Sequence, residues 1–360
     1  MSIADPPPRP FVAPSRRQFL RALGVGAAGL TLAGCGLHPL GKSGAAATGS
    51  AKALRGIFPI AQTPFTGDDK LDLESLAQEV KFIDRGRVHG FVWPQLASEW
   101  STLTEKERLD GMEVIGSTGR KLRPAVVFGV QGADIAQVGR YVKHAEKCGA
   151  NAIISLPPSE GASRESIISY YQEVGRMTDL PLFVQAVGNV NVEALVEMYR
   201  TIPTMRYVKD EAGDPLADFP SLQRQTSGQV KVFSGGHGRK LIDEMRIGFS
   251  GSMPAASLAD LYVQTYQLWQ AGKTSDAQAM HQRTLAALNQ MLDYGMEGMK
   301  YVLYVRGVFK SYAARKPKTQ SFTSAASIVA GGKPAALPVD ERGRKALDEM
   351  VQSLKPYLLA

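Results

Sequence analysis

Cysteine is nearly absent. Cys35 and Cys148 are the only two in 360 residues, too few for a disulfide framework to stabilise the fold. No paired thiols or histidine clusters stand at ligand spacing, so no metal centre is expected. Cys148, followed by Gly149 at the end of a helical stretch, reads as a packing residue rather than a nucleophile. The formal charge is +8, but no helix-turn-helix, zinc-finger spacing or aromatic-basic platform accompanies it, which argues against nucleic acid as a partner. No self-similarity with a period of 20–50 residues occurs, so solenoids and propellers are set aside. The compositional bias of disordered or collagen-like chains is also missing: 44% of residues are hydrophobic and 21% charged. What remains is a globular chain long enough for a sizeable core.

The first residues carry a different pattern. Ser15-Arg16-Arg17-Gln18-Phe19-Leu20 presents a twin arginine, and a weakly apolar, glycine-rich stretch follows over 22–33. That stretch is shorter and richer in glycine than a membrane-spanning helix requires. The combination resembles a Tat export signal over 1–34, the competing reading being an amphipathic N-terminal helix. Leu32-Ala33-Gly34-Cys35 resembles a lipobox, in which Cys35 is acylated and becomes the mature N-terminus. Cleavage within the Ala-rich stretch 41–51 is the alternative. Either way the expected location is outside the cytoplasmic membrane, periplasmic or lipid-anchored. The segment holds Arg9, Arg16, Arg17 and Arg21 against Asp5, so its removal lowers the net charge from +8 to +5.

After a linker at 35–54, short β-rich apolar runs alternate with amphipathic helical stretches. Strands are expected at 56–62, 89–93, 125–130, 152–156, 182–186, 206–209, 230–233 and 248–253. Helices are expected between them, at 73–84, 105–116, 135–147, 163–177, 192–201, 215–225 and 238–246. Eight alternations in this length fit a closed (β/α)₈ TIM barrel over 55–256 better than an open doubly wound sheet. Further helices, at 258–271, 275–292, 296–314 and 341–357, make a C-terminal appendage over 257–360.

A barrel of this kind builds its site at the C-terminal ends of its strands. Lys209 closes the run Met205-Arg206-Tyr207-Val208-Lys209, where apolar surroundings would disfavour the ammonium. A lysine made neutral in that way can attack a carbonyl and form an imine. An ordinary strand-end charge is the plainer reading of a lysine taken alone.

The segment Val208-Lys209-Asp210-Glu211-Ala212-Gly213-Asp214 is similar to the lysine segment of the dihydrodipicolinate synthase and N-acetylneuraminate lyase family. Further matches follow in order. They include Pro59-Ile60-Ala61-Gln62-Thr63-Pro64-Phe65, Gly90-Phe91-Val92, Ser98-Glu99 and Thr102-Leu103-Thr104-Glu105-Lys106-Glu107-Arg108. Gly129-Val130, Ala145-Glu146-Lys147-Cys148-Gly149-Ala150, Ser234-Gly235-Gly236 and then Gly248 with Gly251 complete them. The resemblance implies a Schiff base on Lys209, a 2-oxo acid such as pyruvate as substrate, no metal or organic cofactor, and a homodimer or homotetramer.

Several positions depart from the family pattern. Where the family has Gly-Thr-Thr-Gly-Glu, this chain has Gln95-Leu96-Ala97-Ser98-Glu99, so two hydroxyls are missing, with Gln95 and Ser98 as substitutes. Where it has Thr-Pro-Tyr-Tyr, the chain has Pro157-Pro158-Ser159-Glu160. Glu160 thus stands in the tyrosine's position, either as a proton shuttle or as an exposed loop carboxylate. Tyr170 and Tyr171 fall well inside the next helix, too far along for the tyrosine's role. Gln185 replaces a strand-five tyrosine, and Arg239 tips a loop read as flexible and basic, with a solvated helix start as its plainer reading. Trp93, Gln95 and Trp100 are candidates for a broad substrate surface, though Trp93 reads better as a packed strand residue. The expected function is a Schiff-base lyase, aldolase or dehydratase outside lysine biosynthesis. The alternative is a non-catalytic binding protein for a carbonyl compound or sugar acid.

Overall fold

The computed structural model describes residues 52, 54–159, 161–315 and 336–360. Among them eight parallel strands follow one another: β1 (Gly56–Ile57), β2 (Gly90–Trp93), β3 (Ala125–Gly129), β4 (Ala152–Ser155), β5 (Leu182–Ala186), β6 (Met205–Asp210), β7 (Lys231–Ser234) and β8 (Gly251–Ser252). Their bonded order is β1-β8-β7-β6-β5-β4-β3-β2. Ile60 closes the ring by bridging Val92 of β2 and Ala255 beyond β8. The Ala61 N–H donates to the Val92 carbonyl at 3.0 Å, and the Val92 N–H to that of Pro59 at 2.9 Å. This is the expected (β/α)₈ barrel, in which closure removes any open sheet edge. The regular ladders of β1 and β8 are shorter than expected because Pro59 and Pro254 stand just beyond them and have no N–H to give.

Seven helices occupy the crossovers: α1 (Leu73–Arg85), α2 (Glu105–Gly119), α3 (Ile135–Lys147), α4 (Arg164–Arg176), α5 (Val192–Thr201), α6 (Pro215–Gln225) and α7 (Leu241–Ile247). Most begin where a short polar side chain covers a free backbone N–H. Asp72, Thr104, Asp134, Ser163, Asn191 and Asp214 each cap in this way, and Pro215 follows Asp214 at a position where no N–H is needed. α8 (Ala259–Gln270) packs against β1 and is the eighth unit's own helix, so the expected boundary at 257 moves past it. The helices beyond are α9 (Thr274–Leu292), α10 (Gly295–Val305) and α11 (Glu341–Leu354). α10 stops well short of 314, with Gly307 taking a left-handed φ of 71° just after its end. None of the described helices is long and apolar enough to cross a membrane.

Both faces of the strands are buried, which explains their nearly continuous apolar runs. Phe58, Val92, Val127, Ile154, Phe183 and Phe233 point into the barrel. Phe58 meets Phe233 edge to face at 5.1 Å, and Phe183 stacks on Tyr207 at 4.5 Å. This packing needs Gly90, where a Cβ would come within 2.2 Å of the Phe58 ring. Phe91, Trp93, Val126, Phe128 and Val184 point outward under the helices. Trp93 is therefore the packed strand residue, its indole N–H donating to Thr63 Oγ1 at 3.0 Å. Cys148 is likewise buried, and burial pushes its thiol up.

The appendage reaches the barrel mouth through charge. Lys300 of α10 and Glu99 after β2 form an ion pair with both side chains fully buried. The same ammonium donates to the Ala313 carbonyl at 2.8 Å and lies 4.4 Å from the Phe65 ring centre, while the Arg315 N–H donates to Glu99 Oε1 at 2.7 Å. Removing one member of such a pair leaves a buried charge uncompensated. Lys300→Met is expected to cost about 3–5 kcal/mol in urea unfolding. The double variant Lys300→Met/Glu99→Gln should recover part of that loss, and equal destabilisation of both would refute the coupling.

Candidate active site

Lys209 sits one residue before the end of β6, in register with Gln185 on β5 and Phe233 on β7. Successive strand residues alternate faces, so Tyr207, Lys209 and Glu211 share the inward one. Lys209 is 3% exposed, and its Nζ donates to Glu211 Oε1 at 3.1 Å. The other oxygen, Oε2, accepts from Gln185 Nε2 at 2.6 Å. The ammonium is thus buried as expected, yet it has a carboxylate partner rather than a purely apolar surround. Gly235 makes room for that carboxylate, since a Cβ there would lie 2.1 Å from Glu211 Cγ.

Gln95 and Gln185 each keep a buried amide oxygen with no hydrogen-bond partner among the described residues. Gln95 Nε2 donates to Gln131 Oε1 at 3.2 Å, and Gln131 Nε2 to the Pro94 carbonyl at 2.9 Å. The β3 end of this chain is held by Arg108, a buried residue whose guanidinium donates to the Gly129 carbonyl at 2.7 Å and to that of Gln131. Arg108 ends one of the family-like segments, but its spacing alone gives no sign of this positioning task.

Ser98 does not offer its hydroxyl to a ligand. It is fully buried, accepts from the Gln95 N–H at 3.0 Å and donates to the Ala61 carbonyl at 2.5 Å, which makes it a brace of the turn after β2. Thr63 extends the brace through a 2.5 Å bond to the Ser98 carbonyl. The loop after β7 is pinned rather than flexible. Tyr262 Oη donates to the His237 carbonyl at 2.7 Å, and His281 Nε2 bonds the Gly238 carbonyl at 2.9 Å. Burial, helped by the cations of Arg239 and Lys209, pushes His237 down to about 3, so it carries no charge at neutral pH. Arg239, half-buried, is the cation of this loop, and its guanidinium has no ion-pair partner among the described residues. Glu160 and Cys35 lie outside the described residues.

A cavity of about 560 Å³ opens over the ends of β2 to β5, and Lys209, Glu211 and Gln185 are not among the residues that line it. Leu96, Trp100, Leu156, Ile167 and Val187 give it an apolar lining, with Gln131, Ser159, Tyr170 and Asn189 as polar members. Val187 is two residues beyond Gln185, so its alternation places it directly above the residue opposite Lys209. The helical position of Tyr170 does not keep it from the mouth, contrary to expectation. Its hydroxyl reaches back to Ser155 Oγ at 2.6 Å, Tyr171 Oη donates to the Ser155 carbonyl at 2.7 Å, and burial pushes the Tyr170 hydroxyl up.

The sequence profile of the Dihydrodipicolinate synthetase family matches residues 53–329. The chain belongs to that family. Over 236 residues it is 26% identical to the 4-hydroxy-tetrahydrodipicolinate synthase of Methanococcoides burtonii, covering 63% of this chain and 79% of that one. It is 25% identical over 273 residues to the L-2-keto-3-deoxyarabonate dehydratase of Azospirillum brasilense, covering 73% and 88%. A prophage protein of the dihydrodipicolinic acid synthase family from E. coli K12, solved with pyruvate, superposes with a TM-score of 0.71 at 20% identity, over 84% of this chain and 99% of the other. N-acetylneuraminate lyase from Mycoplasma synoviae gives 0.69 at 16% identity, over 84% and 97%. At such identities the structural likeness speaks for the fold alone.

Behind the site, on the outward face, burial pushes two carboxyls up, as it also does Glu79 of α1. Asp210 is pushed up to about 7 chiefly by desolvation, and Glu244 of α7, close to Ser234, is pushed up to about 7 for the same reason. In the unfolded chain both lose their protons near pH 4. Between about pH 4 and 7 the folded protein therefore holds protons that the unfolded chain has released, and stability falls as pH rises through that window. The expected loss is a few kcal/mol, each tenfold difference in proton affinity between the folded and unfolded chain being worth about 1.4 kcal/mol. Unfolding midpoints measured from pH 4.5 to 8 should show this slope, and Asp210→Asn/Glu244→Gln should flatten it. An unchanged slope in the double variant would mean that the two carboxyls are ionised throughout.

Proposed function

We propose that the protein is a lyase or dehydratase that takes a 2-oxo acid, or a related carbonyl compound, as an imine on Lys209. The observation that carries this is the buried Lys209 amine on the inward face of β6, facing Glu211 and the half-satisfied amide of Gln185. An iminium at that point acts as an electron sink for the neighbouring carbanion, which supports aldol cleavage, addition or loss of water from one intermediate. The family relatives support the same class of chemistry, one being a dehydratase and others 4-hydroxy-tetrahydrodipicolinate synthases.

Leu96 and Ala97 stand where the family has two threonines, and the adjoining cavity is mainly apolar. Both features favour a substrate whose far end is apolar over a polyhydroxylated sugar acid or the substrates of lysine biosynthesis. Borohydride trapping followed by peptide mass spectrometry tests the reading. Pyruvate should leave a reduced adduct on Lys209 that is absent from Lys209→Ala. A 2-oxo acid with an aryl substituent should trap at concentrations at least about tenfold below those of a polyhydroxylated one, as expected for burying a ring at ~25 cal/mol per Å². Absence of any adduct would move the weight to a binding protein that has kept the barrel without turnover.

The twin arginine at Arg16-Arg17 and the Leu32-Ala33-Gly34-Cys35 sequence support export through the Tat route with lipid attachment at Cys35. Cell fractionation should find the mature protein outside the cytoplasm, with Arg16→Lys/Arg17→Lys retained inside and Cys35→Ala released from membranes. Equal distribution of all three would refute the assignment.

A further inference from the structure

We infer that Glu211 is the acid-base catalyst of this site, in place of the tyrosine that the sequence lacks. The inference rests on the imine reading of Lys209. Glu211 is the carboxylate that the structure holds against the reacting nitrogen, at 3.1 Å from Lys209 Nζ. Its position is built rather than incidental. The Glu211 N–H continues the β6 ladder to the Ala186 carbonyl at 2.9 Å, Gln185 fixes one carboxylate oxygen at 2.6 Å, and Gly235 vacates the space beneath. Among the described residues, two other candidates are committed elsewhere: the Tyr170 hydroxyl to Ser155, the Asp210 carboxyl to the opposite face of the strand. Neutral His237 belongs to a loop held by Tyr262 and His281.

The proton inventory closes with this one group. The Glu211 carboxylate takes a proton from the Lys209 ammonium, leaving a neutral amine and a carboxylic acid. The amine nitrogen forms a bond to the substrate C2, the carbonyl π bond breaks toward oxygen, and a proton passes from nitrogen to that oxygen to give the carbinolamine. Glu211 then returns its proton to the hydroxyl, the C–O bond breaks, water leaves, and the iminium forms beside a restored carboxylate. C3 lies two bonds from Nζ, so the same carboxylate can remove a C3 proton, and that electron pair becomes the enamine double bond. Reprotonation at C3 reverses this last step, and no oxidant, reductant or further reactant is required. Gln185 is a positioning residue here, holding the carboxylate between nitrogen and C3.

The test uses the mature protein with pyruvate in D₂O, following loss of the methyl proton signal, with borohydride trapping at Lys209 as a separate readout. Wild type should exchange its methyl protons. Glu211→Gln should still yield the Lys209 adduct after long incubation, while exchange falls by about a hundredfold or more, the range expected for loss of a general base. Glu211→Ala guards against a folding artefact: added formate, entering the space left above Gly235, should restore part of the exchange. The inference is overturned if Glu211→Gln exchanges within about threefold of wild type, or if formate restores nothing to a folded Glu211→Ala. It is overturned too if wild type forms the adduct but does not exchange. Absence of an adduct in wild type is a different failure, since the imine reading then falls and takes this inference with it.

Discussion

A cation inside a closed barrel must find its counter-charge on the barrel's own inward face, because the helices outside cover every other approach. Lys209 meets this constraint with the residue two positions along the same strand, and the rest of the site follows from that pairing. Glu211 can stand there only because Gly235 on the next strand has no side chain, and its second oxygen is free to hold Gln185 on the strand before. Two neighbouring strands, β5 and β6, are thereby tied through one carboxylate. Deep in the barrel, below this polar layer, Phe58, Phe183, Tyr207 and Phe233 fill the interior, so polar chemistry is confined to the C-terminal ends of the strands.

A second set of buried polar groups supports the mouth without taking part in chemistry. Ser98 and Thr63 join the β2 turn to the segment after β1, and Arg108 grips two carbonyls at the end of β3. Lys300 and Arg315 bring the appendage to Glu99. These groups are largely satisfied locally, as burial requires, although Arg108 Nε has no hydrogen-bond partner among the described residues. Their combined effect is to hold Gln95 and Gln131 together at the ends of β2 and β3, with one amide oxygen of Gln95 left unengaged among the described residues. Preorganised acceptors of this kind stabilise donors on a bound molecule without rearranging.

The fold is legible in the sequence because its signals repeat. Eight apolar runs, each followed by a helix and six of those helices capped by a side chain, leave little choice of architecture, and the bounds of α3, α5 and α6 agree with expectation to the residue. Lys209 is legible from its place at a strand end. Its partner is less so, although Glu211 stands in the same family-like segment: the two-residue spacing that puts both on one strand face is a usable signal, but the family's tyrosine position points to Glu160 instead. Ser98 misleads because a buried hydroxyl that braces a turn has the same sequence signature as one that meets a ligand. Tyr170 misleads in the opposite direction, since a long side chain on a helix returns its hydroxyl to the strand end that its backbone has left. The polarity of the β7 loop depends on burial, which sequence does not state: desolvation, with a lesser push from two cations, keeps His237 neutral.

The departures from the family pattern make physical sense together. With Leu96 and Ala97 where the resemblance places two threonines, one side of the mouth has fewer hydroxyls, and Leu96 lines a mainly apolar cavity there. A dry wall there raises the cost of an unpaired ammonium and strengthens any charge-assisted bond it makes. Glu211 supplies that bond, and in doing so places a proton acceptor at the atom where the imine would form. In the proposed mechanism, the hydroxyls missing on one side and the carboxylate present on the other belong together, since protons would then be exchanged within a single ion pair rather than through a chain of hydroxyls.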